Sequence, residues 1–414
     1  MKFSLRAVVG LVSLLCPLSV LAGHPELVTF SRRTSTTAGA AYFMSNEPTG
    51  NYLFALDIGL DGKLTLRRGY FTGGKGDHGT GLGTDALFSQ NSIITSKEAN
   101  VLIVVNAGSN TLTTYSVNPN EPTELTMLGS PVNSGGEFPV SVAISSTGDR
   151  VCALNGGAVN GVSCFKLDKA HGLTPLPNTT RSLSLPQTTP PKGIDGTVGQ
   201  VLFRTHDTQL SVTVKGHNDT DPFQSRQGYL AVWSFEKDGS LSNDYVPVVG
   251  GIWGWSMNDV PNHDRVALLV GDAAFGVDIF IEEPNGVALK QVKIPGQGAI
   301  CWGEYSNATG NFYLTDFFHS TIYEINIDKN FDTKVLEKFE LDKNDGPIDF
   351  SIAHISGKDR IYVLAPNNTA VEVIELNAPG QMQRIQKLDI GTPIRAAGLP
   401  LNPINSYGFA TFTV

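Results

Sequence analysis

The sequence predicts an all-β fold, a seven-bladed β-propeller with four-stranded blades. A short apolar run ending at a polar residue recurs seven times, starting at residues 41, 101, 151, 210, 266, 312 and 361. Successive copies are therefore 46 to 60 residues apart, and a repeat of about 50 residues with several short strands is typical of one propeller blade. No segment has sustained helical periodicity, and the 44 glycines and 23 prolines suit a chain with many turns.

The second repeat shows the predicted blade in most detail. We expect its four strands at Asp85–Ile94, Val101–Asn106, Thr111–Val117 and Leu125–Val132. A glycine-containing turn before the fourth strand recurs at residues 61, 171, 238 and 285. Three of these turns are Asp-Gly or Asn-Gly, which favour hairpins because both residues accept positive φ.

The two ends of the chain are expected to meet in the first blade. The first repeat provides three strands, and two strand-like runs follow the seventh repeat, IRAAGLPL from Ile394 and GFATFTV from Gly408. Either run could pair with the first blade and remove free sheet edges. The sequence leaves open which of the two lies innermost.

The chain is expected to form one secreted domain. Met1–Ala22 has the features of a signal peptide, with Lys2 and Arg6 before an apolar core, and residues 23–414 then form the propeller. No later apolar segment is long enough to span a membrane. The formal charge is −9 and becomes −11 without Lys2 and Arg6, which argues against a nucleic-acid partner. We expect a monomer located outside the cell or in the cell wall.

Four sequons predict N-glycosylation, which would place their asparagines in solvent-facing loops. Each is completed by a threonine, and the asparagines are Asn178, Asn218, Asn307 and Asn367.

Two of the cysteines are predicted to form a disulfide. Cys152 and Cys164 lie in the second and third strands of the third blade, and a hairpin turning symmetrically about Ala158 would place them directly opposite each other. Cys16 belongs to the predicted signal peptide. Cys301 remains as either a buried unpaired cysteine or a reactive thiol near the channel.

The polar residues that end the second strands define a candidate binding face. They are Asn46, Asn106, Asn155, Lys215, Asp272, Asp316 and Asn367. Asn and Asp also begin turns through bonds to the backbone, so turn formation alone would explain most of them. Lysine is not a turn-former, and Lys215 is therefore predicted either as a channel cation that binds a carboxylate or as a solvated loop residue.

The starts of the innermost strands provide a second candidate ring. They are Asp85, Glu137, Gln200, Trp255, Cys301-Trp302, Asp349 and, if its strand closes the ring, Arg395. Trp255 and Trp302 would form either the walls of a ligand pocket or core packing. Glu137, Lys215, Gln200 and Arg395 together could bind a carboxylated substrate and move a proton. His78 and His217 lie on long loops as surface residues or catalysts. No metal-ligand spacing and no cofactor motif is present in the sequence.

Several long strings resemble one protein family, the secreted fungal 3-carboxymuconate cyclase-like glycoproteins, which are related to 6-phosphogluconolactonase-type lactonases. They are AYFMSNEP from Ala41, DALFSQ from Asp85, VNAGSNT from Val105, GGEFP from Gly135, LNGGAVNGVSCF from Leu154 and GNFYLTD from Gly310. The resemblance covers nearly the whole mature chain. It implies a seven-bladed propeller, secretion, and an isomerase or hydrolase activity of the cyclase or lactonase type.

Two functions remain open at this point. In the first, the protein is a cofactor-free cyclase or lactonase acting on a small carboxylated molecule or lactone, with Lys215 and Arg395 holding the carboxylate and Glu137 moving the proton. Residues expected to line the channel are Asn106, Asn155, Gln200, Trp255, Asp272, Trp302 and Asp316. In the second, it is a non-catalytic glycoprotein of the cell wall or surface that binds a partner or host molecule.

Overall fold

The computed structural model describes residues 24–32, 36–81, 83–218 and 225–414. The predicted signal peptide, Met1–Ala22, lies outside these residues. Within them the chain forms seven antiparallel sheets, and most strands of a sheet pair with the strand that precedes or follows them in the chain. Repetition of one four-stranded unit in this way is a seven-bladed propeller, so the predicted fold class is confirmed.

The strands of the first four blades follow the predicted order, but in the second blade the strands predicted over residues 85–94 and 125–132 have different bounds. The first blade contains β1 (Leu27–Thr29), β2 (Thr37–Met44), β3 (Tyr52–Gly59) and β4 (Leu64–Phe71), and the second contains β5 (Ile93–Ser96), β6 (Val101–Asn106), β7 (Thr111–Asn118), β8 (Glu121–Met127) and the short β9 (Val132–Asn133). The third contains β10 (Pro139–Ile144), β11 (Arg150–Asn155), β12 (Gly161–Asp168), β13 (Gly172–Pro175) and β14 (Arg181–Ser182), and the fourth contains β15 (Val198–Arg204), β16 (Gln209–Val214), β17 (Tyr229–Ser234) and β18 (Val246–Val249).

The last three blades are more regular. The fifth contains β19 (Gly254–Asp259), β20 (Ala267–Asp272), β21 (Gly276–Glu283) and β22 (Gly286–Lys293), and the sixth contains β23 (Ile300–Ser306), β24 (Asn311–Asp316), β25 (Thr321–Ile327) and β26 (Thr333–Glu340). The seventh contains β27 (Ile348–Ile355), β28 (Lys358–Ala365), β29 (Ala370–Ala378) and β30 (Gln381–Asp389), followed by helix α1 (Gly391–Ala396) and β31 (Tyr407–Thr413). Two 3₁₀ turns occupy Ala107–Ser109 and Pro366–Asn368.

Strand β31 closes the ring. It pairs antiparallel with β2, with Ala40 opposite Phe412, and so becomes the innermost strand of the first blade. The chain ends therefore share one blade, as predicted, and GFATFTV is the closing strand.

The other candidate, IRAAGLPL, forms no strand, because its first residues belong to helix α1. Pro393 suits the first turn of a helix, the Thr392 amide donates to Asp389 Oδ1 (3.0 Å), and Gly398 has φ +75° just beyond the end. Arg395 therefore lies on a helix and not at the start of an inner strand.

The second strands are buried on both faces because each blade packs between two neighbours. All eight residues of β2 and all six of β6 are buried, which explains why these segments read as unbroken apolar runs. The outer strands β22 and β26 are exposed or half-buried, and neither contains a fully buried residue. Among the helices of the described residues, none is long and apolar enough to cross a membrane.

The predicted disulfide is present. Cys152 on β11 lies directly opposite Cys164 on β12, and the two form a bond across the hairpin. Cys301 is unpaired and buried, which agrees with the first of the two alternatives expected for it.

Candidate functional site

An irregular segment, Asp85–Asn91, fills the middle of the propeller, and we call it the channel plug. The sequence predicted a strand over residues 85–94, but strand β5 begins only at Ile93. Asp85, Phe88 and Asn91 have φ of 83°, 56° and 64°, a region that side chains disfavour and that ends a strand. The plug was therefore missed because its alternating apolar residues resemble a strand.

Inner strands of several blades hold the plug by hydrogen bonds. Ser89 Oγ donates to the Val140 carbonyl of the third blade (2.8 Å), and Trp302 Nε1 of the sixth donates to the Ser89 carbonyl (2.8 Å). Gln90 exchanges two 3.0 Å bonds with the backbone of Gly303. Because these blades lie around the ring, the segment they share lies on its axis.

Lys215 reaches the plug from the fourth blade. Its ammonium donates to the carbonyls of Phe88 and Val198, both at 2.7 Å, and lies 4.1 Å from the centre of the Trp255 ring. The residue is only 2 % exposed, so the solvated alternative is wrong. Burial lowers the pKa of Lys215 to about 7, partly offset by the charge of Asp85. The ammonium of Lys215 faces the channel as predicted, but its hydrogen bonds go to backbone carbonyls of the protein and not to a free site for a carboxylate.

Asp85, the first residue of the plug, is a buried carboxyl beside this lysine. Its Oδ1 accepts hydrogen bonds from the hydroxyl of Tyr407 (2.7 Å) and the amide of Phe88 (2.9 Å). Burial raises the pKa of Asp85 to about 7, against the opposing effects of the Tyr407 bond and the Lys215 charge. A carboxyl with a pKa near neutrality is suited to accept and return a proton.

One side of Asp85 opens into a cavity of ≈ 90 Å³ that we call the aromatic pocket. Its lining residues are Gly83, Thr84, Asp85, Ile194, Trp253, Trp255, Ala273, Gly298, Ala299, Cys301, Trp302, Phe317 and Phe318. Ala273 and Phe317 directly follow β20 and β24, so the pocket lies at the face where the second strands end. The sequence predicted chemistry at this face.

Trp255 and Trp302 line the aromatic pocket, as the pocket-wall alternative expected. Their rings meet edge to face with centroids 6.0 Å apart, and both residues are 1 % exposed. They are therefore core residues as well as pocket walls.

The remaining aromatic walls of the pocket are Trp253, Phe317 and Phe318, which the sequence did not predict. Trp253 stands two residues before Trp255, and the two phenylalanines follow Asp316. An aromatic residue beside a predicted inner-strand start or a polar strand end is the signal that could have identified them.

The acidic strand ends beside the pocket hold backbone. Asp272 accepts from the amides of Ile252 (2.5 Å) and Trp253 (3.1 Å), and Asp316 from those of Gly298 (2.7 Å) and Ala299 (3.0 Å). Both carboxylates thus fix the loop that enters the inner strand of their own blade. Turn formation, the simpler explanation, accounts for them.

Asn106 and Asn155 have the same structural role in the second and third blades. Asn106 bonds to the hydroxyls of Thr72 (2.7 Å) and Thr113 (2.9 Å), and Asn155 accepts from Ser134 Oγ (2.6 Å). Neither lines the aromatic pocket. Their expected role in substrate binding has no support in this geometry.

A second carboxyl lies against Asp272. Asp278 accepts a 3.0 Å bond from Gln291 at Oδ1, and its carboxyl also shares a hydrogen bond with Asp272. Burial, and next the charge of Asp272, raise the pKa of Asp278 to about 8. Asp278 is therefore protonated when its neighbour is ionised.

Three residues of the predicted catalytic and binding set lie apart from the pocket. Glu137 receives a hydrogen bond from Thr189 beside the third blade, and Arg395 is exposed on α1 with a long contact of 3.5 Å to Thr369 Oγ1. Gln200 lines a separate depression with Gln90 and Glu304 beyond the far end of the plug. The predicted convergence of these residues with Lys215 on one ligand volume is wrong.

The two loop histidines are bound within their surroundings. His78 has both ring nitrogens against carbonyls of its own loop, those of Gly79 and Gly83. His217 pairs with Asp195 (2.6 Å), which also accepts from Trp253 Nε1 (2.9 Å). Asp195 thus links a pocket wall to His217, but neither histidine lines the aromatic pocket.

In the described part of the chain, one acidic group has the spacing of a metal site: Asp342, Asp345 and Glu372. Lys387 Nζ contacts all three carboxylates, at 2.7, 2.7 and 3.2 Å, and Arg384 contacts Asp342 and Glu372 at 2.8 and 2.7 Å. Two cations already bind the three carboxyl groups and offset most of their charge, so the chemistry of this cluster is that of an ion-pair network.

Comparison with known proteins supports the fold but does not identify the chemistry of the site. No protein-family model matches the sequence, and no curated protein matches it. Among solved structures, a periplasmic gluconolactonase from Pseudomonas aeruginosa is similar, with 14 % identity, a TM-score of 0.64, and coverage of 91 % of this chain and 99 % of that one.

Two further solved structures have the same architecture. A proposed 6-phosphogluconolactonase from Bacteroides uniformis is 12 % identical, with a TM-score of 0.64 and coverage of 91 % of this chain and 100 % of that one. A hypothetical selenium-binding protein from Sulfolobus tokodaii is 10 % identical, with a TM-score of 0.60 and coverage of 92 % and 94 %. The chain therefore has the fold of lactonase-like seven-bladed propellers, and these identities show the fold alone.

Proposed function

We propose that this protein is a lactonase- or cyclase-type enzyme that acts in the aromatic pocket, with Asp85 as its general acid–base. The observation that carries the proposal is the position of Asp85, a buried carboxyl in the wall of a ring-sized pocket at the mouth of the channel. The lactonase descriptions of two structural neighbours agree with this reaction class.

The proposed chemistry requires only proton transfer at Asp85. In hydrolysis, the Asp85 carboxylate takes a proton from a water molecule, and the water oxygen forms a bond to the carbonyl carbon of the lactone. The ring C–O bond then breaks, and the departing oxygen takes the proton back from Asp85, giving a hydroxy acid. A cyclase would form a C–O bond from a carboxylate to a double bond, with Asp85 providing the proton to carbon.

Neighbouring residues would position Asp85. Tyr407 and Phe88 both bind Oδ1, and we assign Oδ2 as the oxygen for proton transfer. Lys215 stabilises the carboxylate form through its charge and fixes the plug through Phe88. Lys215 and Asp85 thus replace the expected trio of Glu137, Lys215 and Arg395.

The activity can be tested with purified protein and a panel of small substrates. Hydrolysis of uncharged and carboxylated lactones would be followed by acid release, and cyclisation of carboxymuconates by loss of diene absorbance. Turnover that is lost in Asp85→Asn, but kept in the exposed control Asp244→Asn, would support the proposal. Turnover unaffected by Asp85→Asn would refute it.

We also propose that the protein is a secreted glycoprotein. All four sequon asparagines, Asn178, Asn218, Asn307 and Asn367, are exposed, which N-glycan attachment requires. Treatment of protein from a eukaryotic secretion host with an N-glycosidase should lower its mass and convert these asparagines to aspartates. Protein found only inside the producing cells, with the four asparagines unmodified, would contradict secretion and glycosylation.

A non-catalytic extracellular role is the second candidate. The dispersal of Glu137, Gln200 and Arg395 favours it, as do the strand-end carboxylates Asp272 and Asp316, which bind backbone amides. In this case the propeller would bind a cell-wall or host molecule without changing it. Retention on cell-wall polysaccharide or host cells by the Asp85→Asn variant, with no turnover by the wild type, would support this alternative.

A further inference from the structure

We infer that the aromatic pocket binds an uncharged, flat ring with a polar group directed at Asp85 and discriminates against carboxylates and phosphates. The inference deepens the proposed function and rests on it for the choice of site. It favours the lactonase over the cyclase, because the substrate of the cyclase reaction carries the carboxylate that would disfavour binding. It also replaces the carboxylated substrate expected from the sequence.

The walls of the pocket favour a flat apolar ring. Trp253, Trp255 and Trp302 line it together with Phe317 and Phe318, whose rings meet edge to face with centroids 5.1 Å apart. Aromatic walls gain from ring contacts and from the removal of apolar surface from water. A hydrated sugar phosphate would lose its water there without receiving equivalent hydrogen bonds.

The charge of the pocket opposes an anion. Asp85 is the acidic residue of the lining, and none of the described lining residues is cationic. The nearby cation, Lys215, donates to the carbonyls of Phe88 and Val198 and lies against Trp255. A carboxylate in the pocket would thus meet a like-charged or neutral carboxyl, and the ammonium is already bound elsewhere.

The size of the pocket limits the ligand to about one ring. Its volume of ≈ 90 Å³ is below the roughly 150 Å³ of an engineered apolar cavity that encloses benzene. The rest of a larger ligand would project past Phe318, whose side chain at the rim is 66 % exposed.

The test uses two probes that differ by one charged group, coumarin and coumarin-3-carboxylate, in calorimetric titrations of the full protein at pH 8. We expect coumarin to bind and the carboxylate to bind at least about tenfold more weakly, because like-charge contact costs at least that much. Phe318→Ala should weaken coumarin binding severalfold, whereas Val249→Ala, an exposed change on β18, should not. Phe318→Lys should weaken coumarin and strengthen the carboxylate.

The outcomes separate this inference from the proposed function. Coumarin binding as expected, without hydrolysis of 3,4-dihydrocoumarin or any other lactone, would refute the enzyme and leave the ligand class standing. Equal or tighter binding of the carboxylate would overturn the ligand class, even if lactones are hydrolysed. Failure of coumarin to bind at all would overturn it as well.

Discussion

Lys215 and Trp255 form a buried cation–π pair, with the ammonium 4.1 Å from the ring centre. Two further protons of the ammonium are bound by the Phe88 and Val198 carbonyls. The ammonium thus joins the second strand of the fourth blade to the plug and to a wall of the pocket. Its main effect should be on stability, in contrast to the small effect expected of a residue at a strand end.

Replacement of Lys215 by methionine should therefore destabilise the protein. The variant leaves two buried carbonyls without their donor, and we expect the free energy of unfolding to fall by about 2 kcal/mol. Urea titration followed by tryptophan fluorescence would measure the change. Lys293→Met, at an exposed position on β22, is the matched control, and an equal effect in both variants would contradict the role of Lys215.

Asp85→Asn should lower kcat/KM by about a hundredfold or more, the usual contribution of a general base. In the wild type, kcat/KM for lactone hydrolysis should rise with pH through about 7, because the Asp85 carboxylate is the active form in that reaction and burial raises its pKa to that value. The variant should lose this rise. A wild-type profile that is flat between pH 6 and 8 would exclude Asp85 as the base.

The Asp272–Asp278 contact should make stability depend on pH. The pKa of Asp278 is about 8 in the folded protein and about 4 in an unfolded chain. The folded state therefore binds the extra proton between these values, so the contribution of Asp278 is fully present below about pH 4 and is lost as pH rises through about 8.

The Asp278→Asn variant should remove this pH dependence. The difference in melting temperature, variant minus wild type, should be larger at pH 8.5 than at pH 5. Asp244→Asn, at an exposed position, should show no such difference between the two pH values. If Asp278→Asn behaves like this control, Asp278 is not held protonated by its surroundings.

The Cys152–Cys164 bond should stabilise the third blade. The two cysteines are 12 residues apart in the sequence. In the chain-entropy model, closing a loop of this size stabilises the folded state by about 3 kcal/mol. The wild type should therefore melt at a lower temperature with reductant present. The double variant Cys152→Ser/Cys164→Ser should melt low under both conditions, and a wild type insensitive to full reduction of the bond would show that it adds no stability.

The repeat architecture could be predicted because each blade has its own local sequence pattern, which recurs along the chain. Each second strand is an apolar run buried on both faces, and its strength as a signal follows from that burial. The opposed cysteines were also predictable from local sequence, because a tight hairpin fixes which residues face each other. Helix α1 was missed because Ile394–Leu401 suits either a strand or a short helix, and the bond from the Thr392 amide to Asp389 that holds its first turn lies outside that segment.

The site could be predicted only in part because its contacts join distant parts of the chain. Lys215 binds Phe88, 127 residues earlier, and Asp85 binds Tyr407, 322 residues later. Positive φ at Asp85 and Phe88 turns the plug inward. The residue types at these two positions do not predict that backbone conformation. Trp255 and Trp302 were predictable because inner-strand position alone places them at the channel.

Closure of the ring by β31 has a consequence for when the site comes into existence. Tyr407, whose hydroxyl donates to Asp85 and accepts from the Ser89 amide, is the first residue of that closing strand. A chain emerging from the ribosome can stack its seven blades in order, yet Asp85 gains this partner only after synthesis has passed the last blade. Completion of the first blade and assembly of the proposed acid–base group are then a single event, so a chain truncated before β31 would lack both.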